Sequence, residues 1–259
     1  EQRQSFVFEN VPSTPILSIL RDFSAPVKLQ ISRPLTELAF LLQHDNDSFN
    51  RWEAGQQLMA CIIFELIEAI KHEQSLTIPG ILVNSFTAIL DQEWPDLSYL
   101  ACLLSLPAEN YLAEQMPVAD VDAIHQARQL VKRSLAEQLT EQLTDLYRQN
   151  NQGESGELNS DAIDKRRIKN LCLDYLSQLD TKYSYQLANE QFANAKTMTD
   201  QIAALGAIVN TENPDKTTYL EQFYQQWQEE ALVIDKWFSL QAASSQPGTF
   251  AVVQSLLKH

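Results

Sequence analysis

The sequence predicts an all-α protein: an irregular α-solenoid, or stacked antiparallel helix pairs, preceded by a short N-terminal β segment. Apolar residues recur at helical spacing from about residue 34 to the end of the chain. Prolines, glycines and capping residues divide this pattern into about a dozen helices. The turns between them are short, as is typical of antiparallel neighbours. The chain shows no fixed repeat in the range of roughly 33–47 residues, so the predicted array is irregular.

Residues 1–33 have a different pattern from the rest of the chain. Prolines separate short apolar pieces, and Val27, Leu29 and Ile31 alternate as in a strand with one buried face. This part carries a net charge of +1, whereas the remainder carries −16. A β segment this short needs a sheet supplied from elsewhere. We therefore predict a boundary between residues 1–33 and a helical domain at 34–259.

Helix boundaries follow from caps and breakers. Ser32 is the expected cap of the first helix, with Pro34 in its first turn. Asp47 is the expected cap of the second helix, which continues to Lys71. The remaining predicted helices cover residues 80–93, 96–106, 107–116, 120–149, 160–179, 181–193, 197–210, 214–228, 231–244 and 249–258. Residues 150–159 are polar and contain two glycines, so they are the predicted loop.

Composition excludes several classes of protein. The chain has 259 residues, 44% hydrophobic and 20% charged, which is an ordinary globular balance. A net charge of −15 disfavours nucleic acid and anionic membranes as partners. No apolar run approaches the length of a membrane span. Three cysteines without close pairing predict a reducing, cytoplasmic location. Because the sequence begins without Met and without a signal-peptide pattern, we expect it to be a segment of a longer protein.

Four stretches carry a family resemblance. They are FSAPVKL at 23–29, DSFNRWEA at 47–54, TMTDQIAAL at 197–205 and LVIDKWFSLQA at 232–242. In this order they resemble the aminopeptidase N family, the gluzincin zinc aminopeptidases of bacteria. The resemblance implies that residues 1–33 end a small β-sandwich domain. It also implies that residues 34–259 are the larger part of a C-terminal helical domain that continues beyond this chain.

The family's catalytic motifs are missing from this sequence. The family binds zinc through H-E-x-x-H, in which two His at i and i+4 share one helix face. The single His-Glu pair, His72-Glu73, is followed by Gln74, Ser75 and Leu76, so the second His is absent. The G-x-M-E-N motif that grips the substrate amine is absent too. The resemblance therefore implies no catalytic, cofactor-binding or metal-binding residue here, and zinc only in the parent enzyme.

Three further groups of residues leave alternatives open. His44, Asp45 and Asp47 form either a metal cluster or, as we favour, a helix cap and solvated turn. The basic cluster Lys165, Arg166, Arg167 and Lys169 either binds an anion or, as we favour, makes helix-surface ion pairs with Asp161 and Asp164. The thiols of Cys61, Cys102 and Cys172 fall in apolar helical runs, so we expect inert core residues.

Aromatic and acidic residues raise similar alternatives. Trp52, Trp227 and Trp237 could stack on a ligand, but core packing with a partner for the indole N–H is expected. Arg51 is expected to tie its helix to the C-terminal carbonyls of the neighbouring helix. Asp235 and Lys236 offer a possible buried pair within an apolar helix. The carboxylates of Glu109, Glu114, Glu137 and Glu141 could serve acid–base chemistry, but a solvated acidic face is the default.

Two functions remain after these exclusions. By resemblance, the chain is the non-catalytic helical region of a zinc-dependent aminopeptidase, which removes N-terminal residues from peptides. This region walls the cavity over the active site and limits substrate access. Its partners are then the catalytic and β-sandwich domains of the same polypeptide, and peptide substrates through the parent. The alternative is a stand-alone helical-array module that binds a partner protein in a concave groove.

Overall fold

The computed structural model describes residues 4–27, 29–152 and 156–259. These residues form thirteen α-helices, two short 3-10 turns and no strand, which confirms the all-α class. The helices are α1 Leu35–His44, α2 Ser48–Lys71, α3 Gly80–Leu90, α4 Leu97–Leu103, α5 Glu109–Glu114, α6 Val121–Gln138, α7 Thr140–Asn151, α8 Ser160–Leu176, α9 Lys182–Asn194, α10 Met198–Val209, α11 Lys216–Trp227, α12 Ala231–Ala242 and α13 Thr249–Leu256. None of the described helices is long and apolar enough to cross a membrane.

The expected N-terminal strand does not form in the described part of residues 4–33. Val27 is 59% exposed and Ile31 is 39% exposed, so the alternating face predicted to be buried is open to solvent. A strand needs a hydrogen-bonded neighbour, and the described residues supply none for this segment. The only regular element here is a 3-10 turn at Arg21–Phe23.

The predicted cap at Asp47 is confirmed, and Asp96 and Asp120 cap two further helices in the same way. The side chains of Asp47, Asp96 and Asp120 each accept a hydrogen bond from the amide three residues later, at the starts of α2, α4 and α6. Ser32 is not a cap, because α1 begins at Leu35 behind an extended Pro34. The reason is steric: the residue before a proline avoids helical backbone angles, which excludes Arg33 from a helix.

The single helix predicted over residues 120–149 is two helices. Leu139 has φ −114° and ψ 19°, outside the helical range, and separates α6 from α7. The Thr140 hydroxyl donates to the Ala136 carbonyl at 2.6 Å, a local bond that competes with the regular helix pattern. Both sides of the break remain apolar, with Leu135 and Leu143 buried. The helical spacing of apolar residues therefore continues across Leu139, and the sequence pattern does not show that the helix ends there.

The core is centred on α2. Its Leu58, Met59, Ile62 and Ile63 are fully buried, and α2 packs against α1, α4 and α6. The contact with α1 is close, because a Cβ on Gly55 would lie 2.9 Å from the Leu42 Cδ1 atom. Further along, contacts run mainly between successive helices: α7 with α8, α9 with α10, α11 with α12 and α12 with α13.

The last helices bury fewer side chains than α2 does. Phe223 is the one buried residue of α11, α12 buries Trp237 and Gln241, and α13 buries none. Exposed apolar side chains accompany this loss of burial, with Leu232 at 80% and Phe250 at 76%. Packing is therefore dense as far as α10 and thins at α11 to α13.

The predicted loop at 150–159 is shorter than expected on its N-terminal side. Helix α7 continues to Asn151, and the Asn159 side chain accepts from the Ala162 amide at 2.9 Å to cap α8. The centre of the loop, residues 153–155, lies outside the described residues.

Candidate functional site

Polar side chains converge at the corner where residues 18–24 meet the turn between α1 and α2. The Arg21 guanidinium donates from Nη1 to Asp45 Oδ1 at 2.9 Å, and its Nη2 atom donates to the side-chain oxygen of Asn46. The Asn50 side chain donates to the Ile19 carbonyl at 2.9 Å. These contacts fasten the N-terminal segment to the helical array.

The expected cap-and-turn role is confirmed for Asp47. Its two oxygens accept from the amides of Asn50, at 2.9 Å, and of Asp22, at 3.0 Å. These N–H groups, with some help from the Arg21 charge, hold the pKa of Asp47 below its ordinary value. His44 is exposed, with its ring 4.7 Å from that of Phe40. The described residues contain no group of three or more His, Cys, Asp or Glu side chains placed to hold a metal ion.

Asp45 is buried in this corner, so the expectation of a solvated turn is wrong for this residue. Its side chain is 1% exposed, and Oδ1 accepts from both Arg21 and the Asp47 amide. Within the described residues, Oδ2 is buried without a hydrogen-bond partner. An ionised carboxylate removed from water is costly unless it is paired. The Arg21 charge is therefore important for holding Asp45 in place.

An open groove of about 840 Å³ lies beside this corner. Phe23, 73% exposed, and Phe49, 43% exposed, meet there with ring centroids 4.7 Å apart. The groove is lined by Ile19, Leu20, Phe23, Ala25, Pro26, Val27, Leu29, Ile31, Phe49, Asn50, Glu53, Gln57, Tyr111 and Gln115. Nine of these fourteen residues are apolar, and the polar ones include three side-chain amides and one carboxylate.

Arg51 has the role predicted from sequence. Its Nε donates to the Leu42 carbonyl at 2.7 Å, and its Nη2 donates to the Gln43 carbonyl at 2.8 Å, both at the end of α1. The guanidinium carbon lies 4.6 Å from the centre of the Trp94 ring. Burial lowers the pKa of Arg51 from its usual value, but an arginine remains charged at neutral pH. Arg51 therefore joins α1, α2 and the turn after α3.

The surface interpretation of the basic cluster is wrong for Arg166 and Lys169. Arg166 is 4% exposed and donates to the Glu157 carbonyl at 2.7 Å. Lys169 is 1% exposed, and its Nζ lies 2.7 Å from Asp200 Oδ2. Helix α8 contacts α4, α6, α7, α9 and α10, so side chains on several of its faces are enclosed. Lys165 and Arg167 remain exposed.

A buried polar network extends from this ion pair. Asn170 donates to Asp200 Oδ1 at 3.0 Å, and Gln191 donates to Asn170 at 2.8 Å. The Tyr147 hydroxyl donates to Gln191 at 3.1 Å. The network therefore links α7, α8, α9 and α10. Sequence reasoning missed it, because Asp200 and Gln191 resemble surface residues until the packing of four helices is known.

The cysteines and tryptophans largely follow the sequence prediction. Cys172 is fully buried, and burial raises the pKa of its thiol to about 12; Cys61 and Cys102 are half-buried. The indole N–H of Trp227 donates to Gln201 and that of Trp237 to the Leu220 carbonyl, both at 3.0 Å. Trp52, expected to be mostly buried, is only half-buried and stacks on exposed Phe49.

The remaining charged candidates lie at the surface. Asp235 and Lys236 are both exposed, so the possible buried pair does not form. Glu137 pairs with Arg133 one turn away at 2.9 Å, as on a solvated helix face. Glu109 lies 2.8 Å from the His125 ring, with both side chains more than 40% exposed. Glu114 and Glu141 are exposed.

Family models match the whole chain except two residues. A model described as a domain of unknown function with ARM repeats, DUF3458_C, matches residues 35–259. A second, described as a domain of unknown function with an Ig-like fold, DUF3458, matches residues 1–32. The two matched ranges are separated by residues 33 and 34, where the sequence pattern also changes.

Similar proteins are bacterial aminopeptidases. The chain is 36% identical to aminopeptidase N of Escherichia coli K12 and 31% identical to aminopeptidase N of Haemophilus influenzae, each over 259 residues. Both alignments cover 100% of this chain but 30% of the relative, so the chain spans less than a third of their length. A crystal structure of Legionella pneumophila aminopeptidase A in complex with aspartic acid matches with a TM-score of 0.81 at 27% identity. That match covers 97% of this chain and 30% of the Legionella chain.

Proposed function

The chain belongs to the DUF3458_C family of ARM-repeat domains, and from this premise we propose that it is the non-catalytic helical region of a zinc-dependent aminopeptidase N. The family membership, and the matches to aminopeptidase N along the whole of this chain, confirm the resemblance carried by the four sequence stretches. The observation that carries the proposal is the match to the Legionella aminopeptidase, where an array like this one makes up 30% of the chain.

The proposed role is to wall the cavity over the active site. An enclosing wall limits access to peptides with a free N-terminus and excludes bulk water from the reaction. It needs no catalytic side chain of its own, which is compatible with a chain that lacks H-E-x-x-H and G-x-M-E-N. The parent reaction is hydrolysis of the first peptide bond of a peptide, with zinc bound by another domain acting on the attacking water.

The partners in this proposal are domains of the same polypeptide. Residues 1–33 are the end of a β-sandwich domain, and residues 34–259 belong to the helical domain. Exposed apolar residues of the N-terminal segment support this, since Phe6, Val7 and Phe8 are each more than 70% exposed. A neighbouring sheet would bury them and would give Val27 and residues 29–31 a strand partner, which the described residues do not supply.

The cellular setting is part of the same proposal. Three free cysteines support a reducing, cytoplasmic location. The net charge of −15 supports a protein with neither nucleic acid nor a membrane surface as a partner. A stand-alone binding module is less well supported, because aminopeptidase N relatives align with the chain from end to end.

The first experiment separates the chain from its parent. The 259-residue chain is dialysed, its metal content is measured, and alanine p-nitroanilide is offered as substrate. We expect no stoichiometric zinc and no turnover above a buffer blank, whereas the longer polypeptide encoded with it binds zinc and hydrolyses the substrate. One tightly held zinc per chain, or turnover by the chain alone, would show that the proposal is wrong.

The second experiment tests whether the helical region encloses the active-site cavity. The longer polypeptide is offered a series of substrates with the same N-terminal Ala: a tripeptide, an unfolded peptide and a small folded protein. An enclosed cavity predicts release of the N-terminal residue from the two peptides and none from the folded protein. Equal rates across the series would contradict enclosure while leaving the aminopeptidase assignment intact.

A further inference from the structure

The backbone between Leu20 and Phe23 is strained. Leu20 has φ 59°, Asp22 has φ 52° and Phe23 has φ 53°, so three of four consecutive residues adopt left-handed angles. None of them is glycine, and L-residues with side chains populate this region at a cost. Such a cluster persists only where surrounding contacts hold it.

The contacts that hold this backbone come from the turn between α1 and α2. Arg21, between two strained residues, pairs with Asp45 at 2.9 Å. The Asp22 amide donates to Asp47 Oδ2 at 3.0 Å. The Phe23 ring, 73% exposed, adds one aromatic contact with Phe49. Apolar burial here is small, so the polar contacts must supply most of the restraint.

We propose that residues 18–24 form a strained strap, which Arg21 fastens to Asp45, and that the fastened strap sets the direction in which residues 4–17 leave the helical array. The buried Asp45 carboxylate makes the fastening strong, because an unpaired charge would remain if Arg21 swung away. Release lets the backbone return to ordinary angles, separates Phe23 from Phe49 and widens the groove beside α2. This inference concerns the 259-residue chain and does not depend on the aminopeptidase proposal.

The strain is tested by one glycine substitution and a matched control. The Asp22 side chain is exposed, so Asp22→Gly removes the cost of its left-handed angle without removing packing. Ser24, two residues away and also exposed, has ordinary angles of φ −58° and ψ −18°. Ser24→Gly therefore adds the same flexibility with no strain to relieve.

The readout is amide hydrogen exchange of the strap, measured by NMR on the full chain and corrected for intrinsic rates. The amides of residues 22 and 24 report directly, because both donate in the fastened state. Asp22→Gly should slow their exchange about threefold, because glycine adopts the left-handed angle without strain. Ser24→Gly should speed their exchange about threefold, because it adds only backbone flexibility. Faster exchange in both variants would show that the backbone at Asp22 is not strained.

The fastening is tested through Arg21. Arg21→Ala should raise exchange of the strap amides about tenfold or more, because Asp45 loses its paired charge. Adding Asp22→Gly to Arg21→Ala should recover part of the protection, whereas adding Ser24→Gly should not. Unchanged exchange in Arg21→Ala, or equal recovery by the two glycines, would contradict a strained strap fastened by this residue.

Discussion

Arg51 does the work of a helix C-cap from outside the helix that it caps. The last carbonyls of a helix lack partners within that helix, and those of Leu42 and Gln43 both accept from this one guanidinium. The planar fork of an arginine can serve two carbonyls at once, and its face remains free to pack against Trp94. A single side chain thereby adds a polar link between α1 and α2 to their apolar packing.

Arg51→Ala should lower the free energy of unfolding by about 2–3 kcal/mol, since two carbonyls lose their donor and the Trp94 ring loses a cation. Arg51→Lys should recover only part of this loss, because an ammonium does not reproduce the fork. Urea unfolding measures both variants. Arg133→Ala, which breaks an exposed pair with Glu137, is the control and should cost under about 0.5 kcal/mol. Equal losses at the two arginines would rule out the capping role.

Lys169 and Asp200 should behave as a unit. Lys169→Met leaves a buried carboxylate short of its cation and should destabilise the chain by about 3–5 kcal/mol. The double variant Lys169→Met with Asp200→Leu removes both charges and should be less destabilised than Lys169→Met alone. Chemical denaturation of the wild type, Lys169→Met, Asp200→Leu and the double variant gives the coupling energy. Strictly additive losses would mean that the two side chains do not depend on each other.

Asp47 should make stability depend on pH in the acid range. In the folded protein the pKa of Asp47 lies below its ordinary value of 3.8, so folding favours the ionised form. The resulting stabilisation is fully present above the unfolded pKa and is lost as pH falls through the lower folded value. The stability difference between the wild type and Asp47→Asn should therefore shrink as pH is lowered below about 4. A difference that is constant down to pH 2.5 would contradict this.

At the scale of secondary-structure elements, the sequence predicted features set by neighbouring residues better than features set by residues far along the chain. The cap at Asp47 depends on residues within one turn, and the sequence predicts it. The strand at residues 27–31 requires a neighbour that the described chain does not contain, so no local pattern could decide its outcome. The inward position of Lys169 depends on five helices around α8, which sequence spacing cannot place.

Two tryptophans should differ in what they contribute to helix packing. Trp237, 8% exposed with its N–H bonded to Leu220, fixes α12 on α11, so Trp237→Ala should cost about 3–5 kcal/mol. Trp52 is half-buried beside exposed Phe49, and Trp52→Ala should cost roughly half as much. Denaturant unfolding compares them on the same chain. A larger loss at Trp52 would show that the corner beside α2 carries more packing energy than its burial implies.

For the molecule as a whole, stability should decrease along the array. Helix α2 buries nine side chains and Gly55, whereas α13 buries none, so local opening should cost less free energy in α13 than in α2. Native-state hydrogen exchange should find the amides of α12 and α13 open first and those of α2 last. Simultaneous opening of α2 and α13 would instead show one cooperative unit.

The order of contacts along the array also bears on how the protein is made. Because α1 packs on α2, α7 on α8 and α9 on α10, most partners are complete within a few dozen residues of each other. A polypeptide leaving the ribosome at about 5–20 residues per second can dock each helix soon after it emerges. Some contacts form later, among them the network that joins Tyr147 to Asp200, which cannot close until α10 has been synthesised. Until α10 emerges, the pair between Lys169 and Asp200 cannot form, so the buried network around α8 is completed only after α9 and the start of α10 have been synthesised.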